Sequence, residues 1–83
     1  MRILLVEDEK RLSAAVCKVL SQEHYVVDPV YTGDDGLDSA MSGIYDAIIL
    51  DVMLPGMDGF TVLKTIREEG LRTPVLMLTA RAG

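Results

Sequence analysis

Eighty-three residues are enough for one domain and few for a large core, since a chain this short buries only about 60–65% of the surface its unfolded form exposes. With 49% hydrophobic and 25% charged residues, the composition excludes a disordered tail, a collagen-like repeat and a coiled coil. Thirteen acidic residues against eight basic leave a net charge of −5, which repels phosphate backbones and argues against direct nucleic-acid binding by this segment.

The first element is the apolar run Ile3-Leu4-Leu5-Val6, preceded by a single basic residue, Arg2, and ended by Glu7. It is too short for a signal peptide or a membrane span, so the chain is expected to be cytoplasmic and free of membrane contact. Leu12, Ala15, Val16, Val19 and Leu20 then recur at three- and four-residue steps, predicting an amphipathic helix of about 12 residues with Asp8 as its N-cap. Cys17 lies on that helix with no His or Cys companion nearby in sequence, so its expected role is structural. A lone cysteine also forms no internal disulfide and fits a reducing compartment. His24, the only histidine, reads as a solvated loop residue. Tyr25-Val26-Val27-Asp28-Pro29-Val30 is a mixed strand, and Pro29, which cannot donate to a ladder, assigns it to a sheet edge.

Asp34 to Ser42 is a weaker helix, with Asp34 and Asp35 favouring its dipole and Gly43 as its stop. Gly36 inside it costs about 1 kcal/mol against alanine. Ala47-Ile48-Ile49-Leu50 follows as a second fully apolar run, ended by Asp51. Gly59 to Glu69 is the third helix, with Asp58 as its cap, Val62, Leu63 and Ile66 inward, Gly70 at its C′ position and Pro74 beyond. Val75-Leu76-Met77-Leu78 is the last strand, followed by Thr79. None of the three apolar runs alternates polar with apolar, so each is expected to be covered on both faces, as in a parallel sheet. The order β-α-β-α-β-α-β then requires right-handed crossovers with helices on both faces.

In open parallel sheets, function collects beyond the carboxyl ends of the strands, where strand order reverses. Here those ends carry Glu7-Asp8, Asp51 and Thr79. Carboxylates held together repel unless a cation or proton intervenes, and oxygen ligands suit Mg²⁺. A carboxylate on a rigid strand end can also act as a nucleophile toward phosphorus, and Asp51 suits that role best, with Thr79 able to donate its hydroxyl to a phosphoryl oxygen. Each residue alone reads more simply as a cap or turn, and it is the convergence of three acidic groups on two separate strand ends that points to a site. No Gly-Lys-Ser/Thr phosphate loop, no Gly-x-Gly-x-x-Gly and no Cys/His cluster is present.

Three motifs, in order, carry a resemblance. Ile3-Leu4-Leu5-Val6-Glu7-Asp8-Glu9, then Ile49-Leu50-Asp51-Val52-Met53-Leu54-Pro55-Gly56-Met57-Asp58-Gly59, then Pro74-Val75-Leu76-Met77-Leu78-Thr79-Ala80 resemble the receiver domain of two-component response regulators, and the wording is most similar to the OmpR/PhoB winged-helix subfamily. The resemblance covers residues 1–83 and implies a flavodoxin-like (CheY-like) doubly wound sheet in strand order 2-1-3-4, stopping before the fifth strand. It implies that Asp51 accepts a phosphoryl group from a sensor histidine kinase, in a phosphorelay switch that is not a turnover enzyme. It further implies that Asp8, Asp51 and the backbone carbonyl of Met53 bind Mg²⁺, that Glu7 holds a metal-bound water, and that Thr79 turns inward to bond the phosphoryl group.

The departure is at the C-terminus, because the family's lysine after a fifth strand has no counterpart among Lys10, Lys18 and Lys64, which all fall on predicted helices. The DNA-binding domain of the subfamily is likewise not within these residues. The domain is therefore expected to be incomplete, with its last strand an exposed edge that favours self-association. Two rival readings remain: a Mg²⁺-dependent hydrolase with an Asp nucleophile, and a phosphorylation-independent interaction module. Haloacid-dehalogenase-like hydrolases carry a second Asp two residues after the nucleophile, where this chain has Met53.

Overall fold

In a computed structural model that describes residues 1–78, the predicted alternation is present throughout. The elements are β1 (Arg2–Val6), α1 (Lys10–Gln22), β2 (Val26–Val30), α2 (Gly33–Ala40), β3 (Ala47–Asp51), α3 (Gly59–Glu68) and β4 (Val75–Leu78). Every strand pairing is parallel, and the order is β2-β1-β3-β4. Pro29 sits opposite Leu5 on the edge strand, where its missing N–H costs no ladder bond.

Alternate side chains of a strand point to opposite faces, and the two faces of this sheet are packed very differently. On one, Leu4, Val6, Ile48 and Leu50 meet Ala40 of α2, Leu54, and Val62 and Ile66 of α3 in a fully buried core. Gly36 explains itself here, because a Cβ at that position would lie 2.8 Å from a Val6 methyl. The glycine that weakens α2 is what lets it ride close on β1. On the other face, α1 packs on β1 and β2. Its stripe, expected to be inward, is largely open: Leu12 is 40% and Val19 59% exposed, and the one buried α1 residue is Ser13. Ala15, Val16, Val19 and Leu20 instead line one wall of a groove of about 350 Å³ whose other wall is Ile49, Leu76 and Leu78. Periodicity placed the stripe on the sheet side correctly, but α1 leans toward β2, and no described residue covers β3 and β4 on that side.

Helix ends correct two details. Glu9, not Asp8, caps α1, its carboxylate accepting from the Arg11 N–H (3.0 Å) and the Leu12 N–H (3.2 Å). That leaves Asp8 free of capping duty. The second helix begins at Gly33 and ends at Ala40, with the Thr32 hydroxyl accepting from the Asp35 N–H at 3.1 Å. Asp58 caps α3 as expected, accepting from the Thr61 N–H at 2.8 Å. Gly70 closes α3 at φ +86°, with the Leu71 N–H reaching back to the Ile66 carbonyl.

His24 is exposed and occupies the equivalent position after α1, at φ +68°, with the Tyr25 N–H bonded to the Leu20 carbonyl. A non-glycine residue in this region costs roughly 1–2 kcal/mol, of which glycine's extra chain entropy returns about half. His24→Gly is therefore expected to stabilise the chain by about 0.5–1 kcal/mol, read as a higher urea midpoint; a lower midpoint would refute it.

Near the amino ends of β1 and β3, the Asp28 carboxylate, from the middle of β2, accepts from the Tyr45 hydroxyl (2.7 Å) and the Arg2 Nε (3.0 Å), and the Arg2 N–H donates to Asp46 (2.7 Å). The Tyr45 bond, with the Arg2 guanidinium beside it, holds the Asp28 carboxyl below its ordinary range. This clasp fastens β1, β2 and the approach to β3 at the end of the sheet far from Glu7 and Asp51. No helix among the described residues is long and apolar enough to cross a membrane.

Candidate functional site

β1 and β3 are adjacent and in register, so their carboxyl ends deliver Glu7, Asp8 and Asp51 to one place. A carboxylate oxygen of each lies within 4.8 Å of one from each of the others. Glu7 and Asp51 are both only 2% exposed, whereas Asp8 faces solvent and gives the cluster its opening.

Each buried carboxylate is held by backbone. The Met53 N–H donates to Asp51 Oδ1 at 3.1 Å, and the Glu9 N–H donates to Glu7 Oε2 at 2.9 Å. The Glu7 N–H in turn bonds the Val30 carbonyl, continuing the β1–β2 ladder past its last paired residue. The second oxygen of Glu7, Oε1, is buried without any donor among the described residues. Burial is the largest influence on this group and pushes its carboxyl pKa up, aided by the neighbouring charges of Asp51 and Asp8; the Glu9 N–H works the other way.

No salt bridge among the described residues reaches this cluster; the one present joins Arg2 to Asp28 at the opposite end of the sheet. Three carboxylates, two of them buried and one with an orphaned oxygen, form a donor set of hard oxygens that fits a divalent cation. A cation there would offset the mutual repulsion and satisfy Glu7 Oε1 through its hydration shell.

Rigidity comes from α3. The Gly59 N–H donates to the Val52 carbonyl (3.0 Å), and a Cβ on Gly59 would fall 2.1 Å from the Asp51 carbonyl oxygen. The first turn of α3 is thus pressed directly onto the backbone of the residues that carry the site.

The sequence-predicted residues Glu7, Asp8 and Asp51 are brought together. Met53 follows Asp51 as expected, and its N–H, which residue types cannot reveal, steadies the Asp51 carboxylate. Thr79 lies outside the described residues. Sequence reasoning missed the part played by Gly59, for which the only signal was a glycine at the start of a helix. It also missed the apolar rim beside the cluster, where Met53 and Phe60 stand exposed.

Comparisons with known proteins agree with this geometry. The response regulator receiver domain family matches residues 3–83. The transcriptional regulatory protein DltR of Streptococcus agalactiae is 48% identical over 82 residues, covering 99% of this chain and 37% of that protein. The transcriptional regulatory protein HprR of Escherichia coli is 51% identical over 81 residues, covering 98% of this chain and 36% of that protein. The chain thus spans about a third of the length of the curated relatives it matches. Among solved structures, the response regulator TrrA of Thermotoga maritima, in complex with Mg²⁺-BeF, superposes with a TM-score of 0.91 at 34% identity, covering 98% of this chain and 70% of that chain. The BeF₃-activated receiver domain of RstA from Klebsiella pneumoniae gives 0.91 at 26% identity, covering 100% of this chain and 70% of that chain. The chain belongs to the response regulator receiver domain family and is a phosphoacceptor switch rather than a turnover enzyme.

Proposed function

We propose that Asp51 is the residue phosphorylated, that Asp8, Asp51 and the backbone carbonyl of Met53 hold Mg²⁺, and that Glu7 holds a metal-bound water. The observation that carries this reading is the buried Asp51 at the end of β3 with carboxylate oxygens of Glu7 and Asp8 within 4.8 Å, one Glu7 oxygen having no donor among the described residues. When bound, the cation neutralises charge that would otherwise oppose an incoming phosphoryl group. Asp51 forms the new P–O bond as the bond from phosphorus to the donor's nitrogen breaks, and that nitrogen takes a proton. The Met53 N–H keeps the attacking carboxylate oriented. Thr79 supplies a hydroxyl to the phosphoryl oxygens, and its movement carries the signal.

The donor in this reading is a sensor histidine kinase, acting in the cytoplasm. The output is transcriptional, as the names of the DltR and HprR relatives describe for those proteins. DNA contact belongs to another part of such a protein, because this acidic segment repels it.

The test is incubation with phosphoramidate and Mg²⁺ followed by mass spectrometry. A stoichiometric gain of about 80 Da, the mass of one phosphoryl group, is expected on Asp51 and should vanish in Asp51→Asn and on chelation of the metal. A gain that survives in Asp51→Asn would overturn the assignment.

A further inference from the structure

Lys10 opens α1 two residues after Asp8 and directly after Glu9, yet its ammonium pairs with neither carboxylate. Lys10 Nζ lies instead over the ring of Tyr31, 4.9 Å from its centroid. The backbone holds that ring in place from both sides. Tyr31 follows Val30, the last residue of β2, whose carbonyl accepts from the Glu7 N–H at 3.1 Å, and it precedes Thr32, the cap of α2. Tyr31 is thereby fixed beside the turn that carries Glu7 and Asp8. Of the carboxylates next to Lys10 in the chain, Glu9 already accepts from two backbone N–H groups and Glu7 is buried. Asp8 is exposed and caps nothing. It is the obvious partner for Lys10, and Lys10 does not take it.

We propose that Tyr31 is a positioning residue for the metal site: its ring holds the Lys10 ammonium off Asp8 and so keeps that carboxylate open to Mg²⁺. The inference rests on the reading that Asp8 binds the cation. An ammonium on a flexible four-carbon stem settles on whichever acceptor within reach offers most. An exposed ion pair and an exposed cation–π contact are of similar strength, so a ring in the right place competes evenly with a carboxylate. Without the ring, Asp8 is the exposed carboxylate nearest to Lys10 in the chain that no capping bond occupies. The ammonium then sits where the metal belongs, and Mg²⁺ binds only by displacing it. The coupling also runs the other way, because a divalent cation on Asp8 repels Lys10 and drives it further onto the ring.

The test follows the Asp8 and Met53 amide signals of the whole protein during Mg²⁺ titration at fixed ionic strength. Tyr31→Leu should weaken Mg²⁺ binding by about threefold, the factor by which an exposed ion pair on Asp8 competes. Tyr31→Phe keeps a ring under the ammonium and should stay within about 1.5-fold of wild type. Lys10→Gln should bind at least as tightly as wild type, and adding Tyr31→Leu to it should cost nothing further. Equal affinities for Tyr31→Leu and wild type would overturn the proposal. So would a loss that persists in the Lys10→Gln background, because Tyr31 would then support the site through packing alone. The unaltered protein supplies a measurement that no variant's folding can confuse. The ring-current shift of the Lys10 side-chain protons should grow on adding Mg²⁺, and a shift that shrinks or stays the same would overturn the proposal too. Asp8→Asn should lose most of the Mg²⁺ response. If it keeps that response, the ligand reading of Asp8 falls and takes this inference with it.

Discussion

Alanine at Gly59 should destabilise the protein by about 3 kcal/mol or more, enough to leave much of a small domain unfolded. The added Cβ would fall 2.1 Å from the Asp51 carbonyl oxygen and 2.9 Å from the Val52 Cα. Both are backbone atoms of the strand end, so no side-chain rotation relieves the clash. Either α3 backs away from the sheet, opening the Val62 and Ile66 side of the core, or the end of β3 bends and carries Asp51 with it. Gly43 offers the contrast: a Cβ there meets nothing within 4 Å, and only its φ of +76° resists substitution. Gly43→Ala should therefore cost about 1–2 kcal/mol, the strain of a left-handed residue. Urea unfolding of the two variants beside the wild type measures both, and a Gly59→Ala loss no larger than that of Gly43→Ala would show that the close approach is not needed. Whatever folded Gly59→Ala remains should also phosphorylate poorly, since the loop that supplies the Met53 N–H starts from the displaced strand end.

The second large effect concerns Glu7 in the absence of metal. Its folded-state pKa is raised, chiefly by burial and further by Asp51 and Asp8, so the folded chain holds this proton longer than the unfolded one. The associated stability is fully present below the unfolded pKa and is lost as pH rises through the raised folded pKa. With the metal chelated, stability should therefore decline as pH climbs out of the ordinary carboxylate range. Glu7→Gln should flatten that decline. Its amide oxygen can still accept from the Glu9 N–H, and its NH₂ offers donors to the neighbouring carboxylates. At neutral pH without metal the variant should be more stable than wild type by about 1–3 kcal/mol, the scale of a buried acceptor left unsatisfied. Added Mg²⁺ should narrow or reverse the difference, because it stabilises the wild-type carboxylates more. Denaturant midpoints across pH, with chelator and with Mg²⁺, provide the measurement. A Glu7→Gln chain less stable than wild type at neutral pH in chelator would contradict it.

Much of this was legible in the residues because parallel strands announce themselves. Ile3–Val6 and Ala47–Leu50 are apolar without alternation, the pattern of strands in a parallel sheet, although one face of Ala47–Leu50 borders the open groove beside α1, and Pro29 assigns β2 to an edge. The acidic cluster was legible for a topological reason: the carboxyl ends of parallel strands share one edge of the sheet, so Glu7, Asp8 and Asp51 had to meet. What escaped was whatever depends on neighbours. Glu7-Asp8-Glu9 offers three carboxylates in a row, and which one caps α1 depends on how the chain turns, not on residue type. Thr32, which caps α2, is followed by Gly33, a poor helix former, so residue types alone do not mark the helix start there. Gly33, Gly36 and Gly59 look like flexibility in a sequence, yet each is a point where a Cβ would strike the Met57 backbone, the Val6 side chain or the Asp51 backbone. The openness of the α1 stripe depends on where the helix leans, which periodicity does not encode.

The two halves of the acidic cluster sit at the ends of the first and third strands, with α1, β2 and α2 between them in the chain. During synthesis Glu7 and Asp8 emerge well before Asp51, and the cluster does not exist until β1 and β3 have closed that long loop. Closure of this kind is the slow part of folding for a parallel sheet. A divalent cation that needs carboxylates from both strands therefore binds the closed chain and not the nascent one. If Asp51 is the phosphoacceptor, competence to take a phosphoryl group thus arrives late and all at once, with the closed sheet and not with either aspartate alone.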